Sequence, residues 1–366
     1  VMINIKNQIT PMQYILLIHG VQMGVGILTL PRELAEKAGT DGWIAIIICW
    51  FFSTLTSLII VQIMKKYPNG TILDLLTHYF GKWIGRAGTI IFALYFAILT
   101  HVLFIREALF IQAWILPRTN ILILILLLSI PSYLIVRKNI SILARYSEFV
   151  FFMTLWSILI YLIPMKHAEW LHLLPVLKEG WIPIFTAVKT AILSFVGFEI
   201  AFFLYPFLQK KEKASLGIVV ANTLSLLMYL MITIGAFAFF SPDEITIYNE
   251  PAIIILKVIE FKFIERLEIV FFSFYIFVIS TTVLPLMFMT VFCTSQLAGK
   301  QDHSRHIAWF LLIECVLAVL FPPTFDNNFY LQKMIDQAGL ILAFVFPICL
   351  WGYVWLYGLF KRRASK

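Results

Sequence analysis

The chain has 366 residues, 61% of them hydrophobic and 13% charged, against about 45–50% and about 25% in soluble domains. That composition describes an all-α integral membrane protein and excludes a separate soluble domain. The net charge of +8 therefore reads as membrane topology, not as nucleic-acid binding.

The first ten residues are polar, with no cleavable signal pattern. A span needs about 20 apolar residues, and ten candidates follow: 10–36, 42–64, 84–115, 119–136, 140–163, 182–208, 214–240, 263–296, 306–321 and 338–360. A short amphipathic piece, 71–81, precedes the third and reads as a surface helix. Pro131 predicts a kink in the fourth. The loop 164–180 is polar, and 241–262 is polar and then amphipathic, as in a short external helix. Cys49, Cys293, Cys315 and Cys349 lack metal or redox spacing and read as small core residues.

With the N-terminus inside, 17 of the 28 lysines and arginines fall on the inner side. The outer loops are rich in acids, including Glu169, Glu179, Asp243 and Glu244. The charge bias puts both termini in the cytoplasm.

The first span carries Gln22-Met23-Gly24-Val25-Gly26-Ile27-Leu28 near its middle. Each glycine costs a helix interior about 1 kcal/mol relative to alanine. In hydrocarbon, any backbone group so released must find another partner. The helix is predicted to break here, with the broken backbone lining a site. The sixth span repeats the pattern. Pro11 and Pro183 open the two spans, Pro31 and Pro206 follow the interruptions, and a charged cluster closes each. Its interruption is Ser194-Phe195-Val196-Gly197-Phe198-Glu199. Five spans separate the two, so they run with opposite topology. This is a five-plus-five inverted repeat, 10–163 and 182–360, in one transmembrane domain. Glycines that merely let helices pack closely are the alternative for either break alone.

The opening run from Ile9 to Gln13, the stretch Gly24 to Pro31, Tyr67-Pro68-Asn69-Gly70-Thr71 and Gly197-Phe198-Glu199 together resemble the B subunit of bacterial spore germinant receptors. The length and ten-span layout match throughout. That family is a branch of the amino acid–polyamine–organocation superfamily. The resemblance implies a five-plus-five fold with broken first and sixth helices. It also implies A and C partner subunits and a place in the spore inner membrane.

The second half of the first span begins near Gly26, where free N–H groups suit a carboxylate. The first half of the sixth ends near Phe195, where unpaired carbonyls suit an ammonium. Glycine at 24, 26 and 197 lets a ligand approach the backbone. Two facing breaks therefore match a free amino acid, with Gln22, Val25, Ile27 and Ser194 flanking them. Phe195, Phe198, Tyr95, Ser280, Thr281 and Thr282 are candidates to face the ligand's side chain. The aromatic residues can equally be core, and the hydroxyls can bond helix carbonyls. Glu199 can meet a ligand amine, face a water path or bond a freed N–H. Arg145 and Glu148 are spaced to pair along one helix, and Glu314 reads as a subunit contact. No nucleophile–base set, phosphate loop or metal-ligand spacing is present, so no enzyme, metal or cofactor is expected. Three functions remain: a receptor subunit that senses a nutrient, a proton- or ion-coupled amino acid permease working by alternating access, and a channel or water-conducting role within an assembly, on which the sequence is silent.

Overall fold

The computed structural model describes residues 7–259, 266–300 and 302–364, the stretch 359–364 by its backbone. Parts of the expected eighth span and external helix therefore lie outside the described residues. Apart from one parallel bridge between Ile9 and Leu208, every regular element among them is helical.

The first span is two helices, α1 (Pro11–Gln22) and α2 (Gly26–Ala38). Thr10 caps α1: its hydroxyl accepts Gln13 N–H at 3.2 Å, and the Gln13 side chain accepts Thr10 N–H at 3.1 Å. Pro11, at the first helical position, gives up an N–H that would have no helical partner there. The second span is α3 (Gly42–Lys65) and the third is α4 (Ile72–Trp114). The amphipathic piece is continuous with α4, turned at Gly81, whose φ is 85°. Then come α5 (Ile121–Val136), α6 (Ile140–Thr154) and α7 (Trp156–Tyr161), the last two being one span stepped at Leu155. Pro131 lies within α5.

The sixth span is α8 (Trp181–Ser194), a turn, and α9 (Ala201–Leu204) with short flanking 3-10 turns; its halves bend by 44°. The seventh is α10 (Ala214–Phe239). The external segment is short turns around α11 (Pro251–Ile254). The rest are α12 (Leu267–Leu297), α13 (Ser304–Leu320), α14 (Phe325–Leu340) and α15 (Phe346–Ala364). A π turn at Ile341–Val345 joins α14 to α15 as one span. It starts 13 residues before the expected 338, because Asn328, Asp336 and Gln337 make its first half look like loop.

Among the described residues, by length and apolarity alone, six helical stretches can cross a membrane, seven with the bent pair. The shorter α1, α5 and α13 have 12, 16 and 17 residues. Phe51, Leu94, Leu127 and Ile313 stay exposed on the outside, as a lipid-facing surface requires. The interior packs α1 against α6, α10 and α12, with α4 lying along α12.

Candidate ligand site

Glycine makes both interruptions, and side chains from other helices hold them. In the first, Met23 N–H turns back to the carbonyls of His19 (3.1 Å) and Gly20 (3.2 Å), which closes α1. Leu28 N–H bonds Val25 O at 3.2 Å. By position, the N–H groups of Gly26 and Ile27 have no acceptor in their own helix. In the second, Gly197 has φ of +125°, a left-handed conformation open to glycine. A Cβ there would sit 2.8 Å from Val21 Cγ1 and 3.3 Å from the Val21 carbonyl. The two interruptions therefore touch backbone to backbone.

Counting protons orders the bonds between them. Ser225 Oγ donates to Gln22 Oε1 at 2.6 Å. Its own proton so used, it must accept from His19 Nδ1, 2.9 Å away, which fixes that tautomer. The two Gln22 Nε2 protons go to Phe195 O and Asn222 Oδ1, both at 2.8 Å. Asn222 then donates to Ser57 Oγ at 2.9 Å. One amide side chain thus links α1, α8 and α10, and through Asn222 also α3. The Tyr229 hydroxyl lies 2.5 Å from Gln22 O and 2.6 Å from Ser194 O. It has one proton for two carbonyls, one from each broken span.

On the other side, α12 reaches the first interruption. Thr282 Oγ1 donates to Gly20 O at 2.9 Å, and the Tyr275 hydroxyl donates to Gly24 O at 2.9 Å. A Cβ on Gly20 would meet Thr281 Oγ1 at 2.9 Å, so its absence permits this approach. Thr281 bonds mainly its own helix, 2.6 Å to Val278 O against 3.4 Å to Gly20 O. Ser280 turns away and pairs with the Tyr146 hydroxyl at 2.6 Å.

Glu199 closes the second interruption. Its two oxygens accept the Tyr95 hydroxyl (2.9 Å) and Gly197 N–H (2.7 Å). Gly339 of α14 lies against Tyr95 and Val196. Phe195 stands edge-on to Tyr229 at 5.1 Å, and Phe198 edge-on to Phe344 at 5.2 Å; both are fully buried.

Gln22, Gly24, Tyr95, Ser194, Phe195, Gly197, Phe198, Glu199 and Thr282 thus come together, with Val25, Gly26 and Ile27 opening α2 beside them. Ser280 stands apart. The carbonyls of Ser194 and Phe195 are not bare, as the sequence suggested: Tyr229 and Gln22 occupy one side of each. Sequence reasoning missed His19, Asn222, Ser225, Tyr229 and Tyr275. Their signal was there: 222, 225 and 229 form one polar stripe on apolar α10, and Tyr275 precedes Thr282 by two turns.

Two further expectations change. Glu148 takes the Gln13 amide at 3.0 Å, and no ion pair joins it to Arg145 among the described residues. Glu314, 2% exposed, pairs with His101 at 2.6 Å inside the chain. Farther toward the opposite face, Arg106 bonds Asn328 of α14 at 2.7 Å and feels the charges of Asp336 and Glu33.

The family described as "Spore germination protein" matches residues 8–330. The chain belongs to the spore germination protein family. The resemblance to germinant-receptor B subunits thereby holds. Among relatives, spore germination protein GerQB of Bacillus cereus is 26% identical over 95% of this chain and 96% of its own length. Spore germination protein YndE of Bacillus subtilis is 25% identical over 94% and 95%. Spore germination protein A2 of Bacillus subtilis reaches 30% over 70% and 71%. The fold is that of known transporters. A Na+-coupled sialic acid symporter in a substrate-bound outward-open state superposes with a TM-score of 0.67 at 9% identity, over 92% of this chain and 78% of that one. Mhp1, a nucleobase-cation-symport-1 family transporter in a closed conformation, gives 0.57 at 11% identity, over 93% and 79%. A five-plus-five inverted repeat of spans, with the first and sixth broken, is thus the fold of this germination protein. The family and these neighbours are germination proteins and transporters, not enzymes.

Proposed function

We propose that this germination protein binds a small nutrient, an amino acid, between its two helix interruptions, and relays binding to A and C subunits of a germinant receptor. The observation that carries the reading is the donor shortage at the junction. Tyr229 supplies one proton to carbonyls from both broken spans, while Gly26 and Ile27 offer N–H groups with no helical acceptor. An ammonium brings three donors and a carboxylate brings acceptors, so a zwitterion completes both deficits. Glycine at 26 leaves open space: a Cβ there would meet nothing within 4 Å. Thr282, Phe195, Phe198 and Tyr95 would shape the side-chain end of the pocket.

In this reading, residues 10–163 and 182–360 are the two repeats, both termini are cytoplasmic, and the chain sits in the inner membrane of a spore. Thermal unfolding of the purified protein against a panel of amino acids and sugars tests it, because a ligand stabilises the state it binds. One amino acid should raise the midpoint saturably, and Gly24→Leu should abolish the response while the protein still reaches the membrane. A shift from sugars alone, or an unaltered dose response in Gly24→Leu, would refute it. The symporter likeness supports a second reading, a coupled permease. Liposomes holding the protein alone separate the two: concentrative amino acid uptake favours the permease, and binding without uptake favours the receptor.

A further inference from the structure

A cavity of about 70 Å³ lies between α1, α6–α7, α10 and α12. It adjoins the proposed amino acid site, sharing Gly20, Met23, Tyr275 and Thr281 with the seam where α12 bonds α1. Its walls are largely apolar, with Met23, Met228, Met231 and Phe271 among them, and none of its lining residues is Asp, Glu, Lys or Arg. Two of its lining groups, Ser147 Oγ and the Tyr161 hydroxyl, have no hydrogen-bond partner among the described residues. Ser147 is 2% and Tyr161 3% exposed. Leaving a buried hydroxyl unmatched costs about 1–3 kcal/mol, so an unmatched pair in one cavity's wall marks a place where something else can bond them. Leu155, at the step between α6 and α7, lines the cavity and is 39% exposed. The cavity therefore reaches the outer surface of the helix bundle at this step.

We propose that this cavity is a second binding site, for a small uncharged amphiphile that arrives through the bilayer. At about 70 Å³ it exceeds the roughly 10–15 Å³ that a single water needs, so a group larger than a water can enter. An apolar body would fill the methionine-lined part, and one neutral polar group would bond Ser147 and Tyr161. A charged ligand is excluded, since no lining side chain offsets its desolvation. The occupant would act on the first interruption. His19 in the wall begins the bonds that run through Ser225 to Gln22, and Tyr275 in the wall holds the Gly24 carbonyl.

The test uses N-benzylacetamide, a neutral amide on an aromatic ring, with the full chain in lipid nanodiscs and tryptophan fluorescence as the unfolding signal. The expected result is a saturable rise in midpoint, with affinity about 2- to 10-fold weaker in Tyr161→Phe and Ser147→Ala, the worth of one neutral hydrogen bond. These two variants remove only unpartnered hydroxyls, so they retain the fold. Met231→Trp, which fills the cavity, should abolish the shift, and benzoate and benzylammonium should give none. Absence of a saturable shift would overturn the proposal. So would equal affinity in wild type, Tyr161→Phe and Ser147→Ala, which would mean partitioning into lipid, or an equal response to the charged analogues.

Discussion

Gln22→Leu is the sharpest perturbation of the junction. The change removes three interhelical hydrogen bonds, to Phe195 O, Asn222 Oδ1 and Ser225 Oγ. Ser225 can fall back on Ala221 O, 3.2 Å away in its own helix, so two acceptors are left bare. At about 1–3 kcal/mol each, that sets a range of about 2–6 kcal/mol. Interhelical hydrogen bonds inside membranes average only about 0.6 kcal/mol, because the unfolded chain also finds partners there. Three of them come to about 2 kcal/mol, where the two arguments meet. The assay is reversible unfolding in mixed micelles, followed by tryptophan fluorescence. Asn222→Leu and the double variant complete a cycle. Asn222→Leu should cost less in the Gln22→Leu background than alone, because its oxygen is already unpaired there. A cost under about 0.5 kcal/mol, as for an uninvolved surface site, or strict additivity, would refute Gln22 as the tie between the broken spans.

Gly197→Ala should destabilise by about 1–3 kcal/mol from backbone strain alone, and more from contact with Val21. Adding Val21→Ala should recover the contact part only, so full recovery in the same unfolding assay would count against the strained backbone. Tyr95→Phe removes one of two donors to Glu199, worth about 1 kcal/mol. It should change nutrient potency more than stability, and an unchanged half-maximal dose would take Tyr95 out of the pocket. Burial holds the Glu250 carboxyl above its usual range, and Arg32 beside it only partly offsets this. A carboxyl raised in the folded state opposes folding once ionised, so its contribution worsens as pH rises through the folded value. Glu250→Gln should therefore stabilise the protein at neutral pH, with the gain fading toward the unfolded carboxylate's value of about 4.3; a gain independent of pH would refute this.

Much of the fold was legible because its signals are local. Glycine and proline punctuate both broken spans at corresponding places, and apolar runs delimit most of the others. The cross-ties were not legible, for a physical reason. Gln22 meets partners at 195, 222 and 225, on helices whose rotation no single-chain pattern specifies. A hydroxyl in an apolar helix can always bond the carbonyl one turn back, as Thr281 does, so a Ser-Thr-Thr run does not say which member reaches out. Successive residues on a helix point about 100° apart, and here Ser280 faces α6 while Thr282 faces α1. Charge pairing failed similarly. Arg145 and Glu148 satisfy the same-helix spacing rule, but Gln13 of α1 lies closer in space to the carboxylate.

The bridge at Ile9 gives the first span a second anchor. Ile9 N–H bonds Phe207 O at 2.9 Å, and Gln209 N–H bonds Ile9 O at 3.0 Å. Helix α1 is thus fastened to the sixth span at both ends, here by backbone and at the break by Gln22 and by the contact of Val21 with Gly197. A rod pinned at two points cannot swing on either alone. Any opening on the face that holds the N-terminus must carry α1 and the far half of the sixth span as one lever, or first break a pair of main-chain bonds. What the nutrient moves, on this geometry, is a double beam, and whatever presses on the segment just before Pro11 holds its handle.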